Sequence, residues 1–204
     1  MLADLSVKEF LEKTASSSPF PGGGSVAAFG AALGASLAEM VANLTIGKKG
    51  YESAADEMRI IAAKASDLRK KLTENIDRDS ASYEQVMKAF ALPKNTEEQK
   101  LLRAEAVQNA LKNAALIPLD VAESGVQVME LAEKAILLGN KNAVTDGLVG
   151  MLMLRSAVLG AIRNVKINLE SIQDRDFCQK LSAQVNDLQK QVTDKETAVL
   201  GIIF

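Results

Sequence analysis

The sequence predicts an all-α fold, an up-and-down bundle of about six helices, and three observations predict it. Apolar residues recur at spacings of three and four over long stretches, the periodicity of a helix with one buried face. No segment shows the period-two alternation of a half-buried strand. Aromatics are only 4% of the residues and Trp is absent, while Ala and Leu are abundant, which favours closely packed helices over strands. The 204 residues fit one domain, 1–204, with no linker, low-complexity tract or repeat.

The elements follow in order. A short helix is expected from Leu5 to Ala15, with Phe10 and Leu11 inward. Pro19 to Gly24 breaks the chain, and Ser25 is the expected N-cap of a helix reaching Ile46. Its apolar stripe reads Phe29, Leu33, Leu37, Met40, Leu44. After a glycine-flanked turn, a long helix is expected from Glu52 to Ala91, its stripe running Met58, Ile61, Ala65, Leu68, Leu72, Ile76, Asp79, Tyr83, Val86, Phe90. Pro93 ends it. Thr96 with Gln99 has the spacing of a capping box, and the helix it opens meets Pro118, which should kink or restart it before Gly139 closes the end. A helix over about 147–172 and another over about 175–201 complete the set, the last with Leu181, Val185, Leu188 and Val192 in register. These stripes also suit a subunit interface.

Composition excludes several functions. The net charge is -2, with Lys and Arg mixed among Asp and Glu, so there is no electrostatic footprint for nucleic acid. The single cysteine, Cys178, rules out an intrachain disulfide and fits a reducing compartment. The charged N-terminus lacks a signal-peptide apolar core, and a cytoplasmic location is expected. The run "SVAAFGAALGASLAEMVANLTIG" is weakly apolar and carries Glu39 and Asn43, so it reads as a buried helix of small residues rather than a membrane span. With no His, a Ser-His-Asp triad, a His base and the usual zinc sites are excluded, and one Cys excludes an iron–sulfur cluster. Acid–base chemistry therefore falls to Asp, Glu, Lys or Tyr.

The stretch "PFPGGGSVAAFG" has two readings. Gly22, Gly23 and Gly24 with Ser25 make a tight turn, or they offer free backbone N–H groups at a positive helix end to an anion. Asp79 is the sharper signal, because it occupies a position of the apolar stripe. Its carboxylate is either desolvated and fit to carry protons, or paired with a Lys or Arg from another helix. Asp77 lies off the stripe by roughly 100° and reads as solvated. Asp146 is either a helix cap or a ligand contact. Asn164 and Asn168, one turn apart, either hydrogen-bond a heteroaromatic ring or tie helices together. Asp146 and Asn164 are separated by five turns, about 27 Å, so they cannot both touch one reacting carbon within one subunit. Lys48 and Lys49 form a solvated basic turn, or hold carboxylates of an acidic ligand.

Several segments together resemble one known family. "PGGGSVAA", "MVANLTIGKKGY", "IDRDSASYEQVMKAFALPKNTEEQK", "GNKNAVTDG" and "NVKINLESIQD" occur in the order found in the formimidoyltetrahydrofolate cyclodeaminase and methenyltetrahydrofolate cyclohydrolase family. The resemblance covers essentially the whole chain. It implies an all-α homodimer with sites near the subunit interface, a reduced folate as substrate, and no metal or redox cofactor. It also implies catalytic carboxylates in the D-x-D segment, Asp77 and Asp79, of which periodicity favours Asp79. Gly22 to Gly24, Ser25, Lys48, Asp146, Asn164 and Asn168 are the implied substrate-binding candidates. No formiminotransferase segment is recognised in the chain. The cyclodeaminase reaction is the expectation, with cyclohydrolase the alternative and an inactive dimerisation module a remote one.

Overall fold

The computed structural model describes residues 1–203 and contains six α-helices linked by turns and three short 3-10 segments. They are α1 (Val7–Thr14), α2 (Gly23–Asn43), α3 (Ala55–Phe90), α4 (Glu97–Leu138), α5 (Val144–Leu169) and α6 (Arg175–Ile203). No strand occurs among the described residues. The expected all-α architecture is the one found.

Local chemistry explains most helix ends. Ser6 with Glu9 and Thr96 with Gln99 close reciprocal capping boxes that satisfy the first N–H groups of α1 and α4. The start of α2 departs from expectation. Gly22, in extended conformation, takes the N-cap position, and Ser25 lies one turn inside with its hydroxyl directed at α3. Helix α4 runs through Pro118 without restarting. Proline removes the N–H that would bond the Ala114 carbonyl, and the Asn168 side chain of α5 donates to that carbonyl instead, at 2.9 Å.

Cross-helix contacts set the topology. Asp79 of α3 meets Gly24 at the start of α2, while Arg69 of α3 pairs with Glu39 near its end at 2.8 Å. Those two helices are antiparallel. The pairs Lys134–Glu57 and Asn113–Gln85 make α3 and α4 antiparallel, and Gly147 against Ile136 with Asn168 on Ala114 does the same for α4 and α5. Arg155–Glu196 and Lys166–Gln189 set α6 antiparallel to α5. From α2 to α6 the chain runs up and down.

Helix α2 is the centre, walled by α3, α4 and α5. Apart from Val41, its buried residues are the small ones, including Ala28, Ala31, Ala35, Ala38 and Ala42, and not the stripe of large residues. Leu33 is 39% and Leu44 48% exposed. The reason is close packing: a Cβ on Gly34 would fall 3.0 Å from the Gly150 carbonyl oxygen of α5, so the two backbones nearly touch. Small side chains permit that approach and large ones are turned outward. On α1, Phe10 is buried against Phe29 with ring centroids 5.0 Å apart, but Leu11 faces out.

By length and hydropathy, α2 and the Lys141–Leu169 segment would each reach across a bilayer. In the bundle α2 is mostly enclosed, and Glu39 finds the Arg69 guanidinium. A polar cluster that the periodicity did not reveal joins α3 to α4. Burial alone would raise the Asp120 pKa, but Lys71, Asn75 and Arg78 bind its carboxylate and hold it below the usual range.

Candidate active site

The stripe of α3 carries buried Leu72 and Ile76, and the next position on it is Asp79. That register delivers its carboxylate to the first turn of α2. The approach is so close that a Cβ on Gly24 would fall 2.1 Å from Oδ1 and 2.6 Å from Cγ, so the backbone of a glycine is what the carboxylate rests on. The first closed helical bond at this end runs from Val26 N–H to the Gly22 carbonyl. The N–H groups of Gly23, Gly24 and Ser25 precede it and form the positive end of the helix.

Beneath the carboxylate lies Ser25, fully buried. Its Oγ is 2.9 Å from Asp79 Oδ2, 2.9 Å from the Ile76 carbonyl oxygen and 3.1 Å from Ser80 Oγ. No Lys or Arg lies within 4.0 Å of Asp79 among the described residues, so a pairing cation does not explain its burial. Loss of water raises the Asp79 pKa, against the opposing pull of the Ser25 hydroxyl and backbone N–H.

Asp79 opens into a cleft of about 290 Å³. One wall is Pro19, Phe20 and the three glycines, another is Ser80, Ser82, Tyr83 and Val86 of α3. Tyr83 stands one turn beyond Asp79, 41% exposed, with the Phe20 ring 6.4 Å away. Leu111 and Ala114 of α4 and Asn164 and Asn168 of α5 close the far side. Both amides use Nδ2 on backbone carbonyls, Asn164 on Gly160 and Asn168 on Ala114, each at 2.9 Å. Each Oδ1 is left without a hydrogen-bond donor among the described residues, and no Lys or Arg lines the cleft.

The structure therefore brings Gly22, Gly23, Gly24, Ser25, Asp79, Asn164 and Asn168 together. It does not bring Asp77, Lys48 or Asp146 into this cleft. Asp77 is not simply solvated: its carboxylate accepts the backbone N–H groups of Leu2 and Ala3 and anchors the N-terminal segment. Lys48 follows the C-terminal end of α2, and Gly147 beside Asp146 packs on Val41 at that same end. Helix α2 spans about 30 Å, so both lie a helix length away from Asp79. Ala143, not Asp146, holds the N-cap position of α5. Sequence reasoning took Tyr83 for a core residue and passed over Phe20 and Ser80. The only signals were their proximity to the glycine loop and to Asp79.

The profile of the Formiminotransferase-cyclodeaminase family matches residues 6–187. The chain is 38% identical over 188 residues to a methenyltetrahydrofolate cyclohydrolase of Methylorubrum extorquens, covering 92% of this chain and 90% of that one. It is 34% identical to the formimidoyltransferase-cyclodeaminase of Mus musculus over 98% of this chain, but spans only 37% of the mouse protein. The fold superposes on the crystal structure of formiminotetrahydrofolate cyclodeaminase from Thermotoga maritima with a TM-score of 0.88, 34% identity and full coverage of both chains. The class is that of all-helical enzymes of folate one-carbon chemistry. Within it, this chain belongs to the formiminotransferase-cyclodeaminase family.

Proposed function

We propose that the protein is a formimidoyltetrahydrofolate cyclodeaminase in which Asp79 moves the protons. The observation that carries this reading is a desolvated carboxylate, without a cation, in a cleft that bears amide acceptors and aromatic rings. Folate N10 attacks the protonated formimino carbon on N5. Ionised Asp79 takes the N10 proton and delivers one to the departing nitrogen, which leaves as ammonia. The product is the 5,10-methenyl cation, and an ionised carboxylate stabilises it electrostatically. The reduced folate is itself the substrate, and neither step calls for a metal or redox cofactor.

The full-length similarity to a named cyclohydrolase supports a second reading. There Asp79 accepts one proton from water adding to the methenyl carbon; the hydroxyl so formed gives up its second proton as the N5–carbon bond breaks and N5 takes a proton, leaving 10-formyltetrahydrofolate. Turnover of 5-formiminotetrahydrofolate with ammonia release supports the first reading. Turnover of 5,10-methenyltetrahydrofolate alone selects the second, and failure of both substrates to stabilise the protein thermally rejects the folate assignment.

The same reading includes a homodimer in a reducing, cytoplasmic setting. The glutamate tail of folate is anionic, yet no cation lines the cleft of one subunit. Val26 and Leu33 on α2, Leu44 just past its end, and Val149 and Leu152 on α5 are left exposed, as a subunit interface requires. Antiparallel pairing about a two-fold axis carries Lys48 and Asp146 of a second copy toward the Gly22 end of α2. Mixing Asp79→Asn with Lys48→Ala subunits then restores about one quarter of wild-type activity, because one intact site forms in each mixed dimer. No recovery in verified mixed dimers overturns the shared site.

A further inference from the structure

The Ser25 hydroxyl is the unusual element of this centre. It has one hydrogen, and three acceptors lie within reach: Asp79 Oδ2 and the Ile76 carbonyl at 2.9 Å, and Ser80 Oγ at 3.1 Å. Ser25 is fully buried beneath Asp79, so it does not meet a ligand in the cleft directly. The Ile76 carbonyl lies inside helix α3, where the backbone N–H of Ser80 is its ladder partner, so the Ser25 bond is an additional one. Nothing in helix geometry demands that contact.

A buried acid–base group has a problem that a permanently charged one does not. Ionised, it needs donors; protonated, its own O–H needs an acceptor. Backbone N–H groups serve the first state only. A hydroxyl serves both. With Asp79 ionised, Ser25 donates to Oδ2 while its lone pairs accept from Ser80. With Asp79 protonated, Oδ2–H donates to Ser25 Oγ and the Ser25 hydrogen rotates to the Ile76 carbonyl. No proton passes through Ser25, so atoms and charge balance at every stage.

We propose that Ser25 is a positioning residue whose hydroxyl rotates between Asp79 and the Ile76 carbonyl, keeping Asp79 hydrogen-bonded in both of its charge states. The inference rests on the reading of Asp79 as the proton carrier. It assigns Ser25 a task different from the substrate contact implied by family resemblance. The groups packed around Asp79 leave little else to titrate: α2 contributes Gly24 and Ser25, α5 contributes amides, and Tyr83 is the other titratable group lining the cleft.

The test uses the full-length protein and two readouts. The first is direct titration of the Asp79 carboxyl by infrared difference spectroscopy against Asp79→Asn, without substrate. The second is the pH profile of kcat/KM with the folate substrate that the wild type turns over. In Ser25→Ala the stronger, charge-assisted bond to the ionised form is lost, so the Asp79 titration and the acidic limb of the profile both move to higher pH. There kcat falls roughly tenfold, as expected for one such bond. Ser25→Thr, which keeps the hydroxyl, restores the wild-type titration. If Ser25→Ala does not fold, Ser25→Cys takes its place, since a thiol is a weak donor, with the same expected shift. An unmoved Asp79 titration in the hydroxyl-free variant overturns the proposal. Absence of turnover in the wild type rejects the reaction assignment separately, because the carboxyl titration is read without catalysis.

Discussion

Gly24 and Asp79 are in direct contact across the α2–α3 junction: a Cβ on Gly24 would fall 2.1 Å from Asp79 Oδ1. The backbone of Gly24 has no positive φ, so alanine suits its conformation, and the conflict is with the Asp79 carboxylate alone. Gly24→Ala is therefore expected to keep the helical backbone but to push the whole Asp79 carboxylate aside, at a cost of about 1–3 kcal/mol in stability. The displaced carboxylate loses its alignment, and kcat falls roughly 100-fold. Circular dichroism melts beside steady-state kinetics check the pair. A variant of normal activity shows that the contact does not position Asp79.

Asp79→Asn separates chemistry from stability in another way. Turnover should fall by roughly 10²-fold or more as the proton carrier is lost. Because burial raises the folded-state pKa of Asp79, the native state binds more protons than the unfolded state between the two pKa values. Its stability accordingly declines as pH rises from the unfolded carboxylate range through the folded pKa. Above that window the wild type carries a desolvated charge and the variant does not. The variant should melt higher than wild type at neutral pH, with the gain disappearing in acid below the unfolded pKa. Equal melting temperatures at all pH values contradict the desolvated charge.

Asp77 is the contrasting carboxylate. It accepts N–H groups from Leu2 and Ala3 and takes no part in the cleft walls. Asp77→Ala should lower stability by about 1–2 kcal/mol through loss of these bonds, with kcat within about twofold of wild type. Chemical denaturation and kinetics report the two effects. A large kcat loss at unchanged stability reverses the roles given to the two aspartates.

Asn168 and Pro118 are coupled through a single carbonyl. Asn168→Leu leaves the Ala114 oxygen without its side-chain donor and should cost about 1–3 kcal/mol. Adding Pro118→Ala supplies a backbone N–H for that oxygen, so the Asn168 substitution should cost much less in this background. The double-mutant cycle measures the coupling, and additivity within about 0.5 kcal/mol rules it out.

Much of the fold was legible because helical periodicity is local. The capping box of Thr96 and Gln99 stands where its spacing placed it, and Leu181, Val185, Leu188 and Val192 are buried as their register required. Errors arose where packing distance, not hydrophobicity, decided which face is inside. On α2 the alanines are buried and Leu33 and Leu44 are not, because α5 approaches to backbone contact at Gly34 and Gly150. Ser25 was misplaced as a cap for a related reason: its hydroxyl had a partner on α3 that no local pattern announces.

The sequence by itself determined the helical class, the family and the position of Asp79 on a buried stripe, since each is written in spacing or in the order of motifs. Only the tertiary structure decided which residues share a cleft. It joined Gly24, Asp79, Asn164 and Asn168 from three helices, with Ser25 beneath Asp79, and it sent Lys48 and Asp146 to the opposite end of the bundle. Periodicity fixes the direction in which a side chain leaves its own helix. What it meets there depends on how antiparallel neighbours are aligned, and long-range packing sets that alignment.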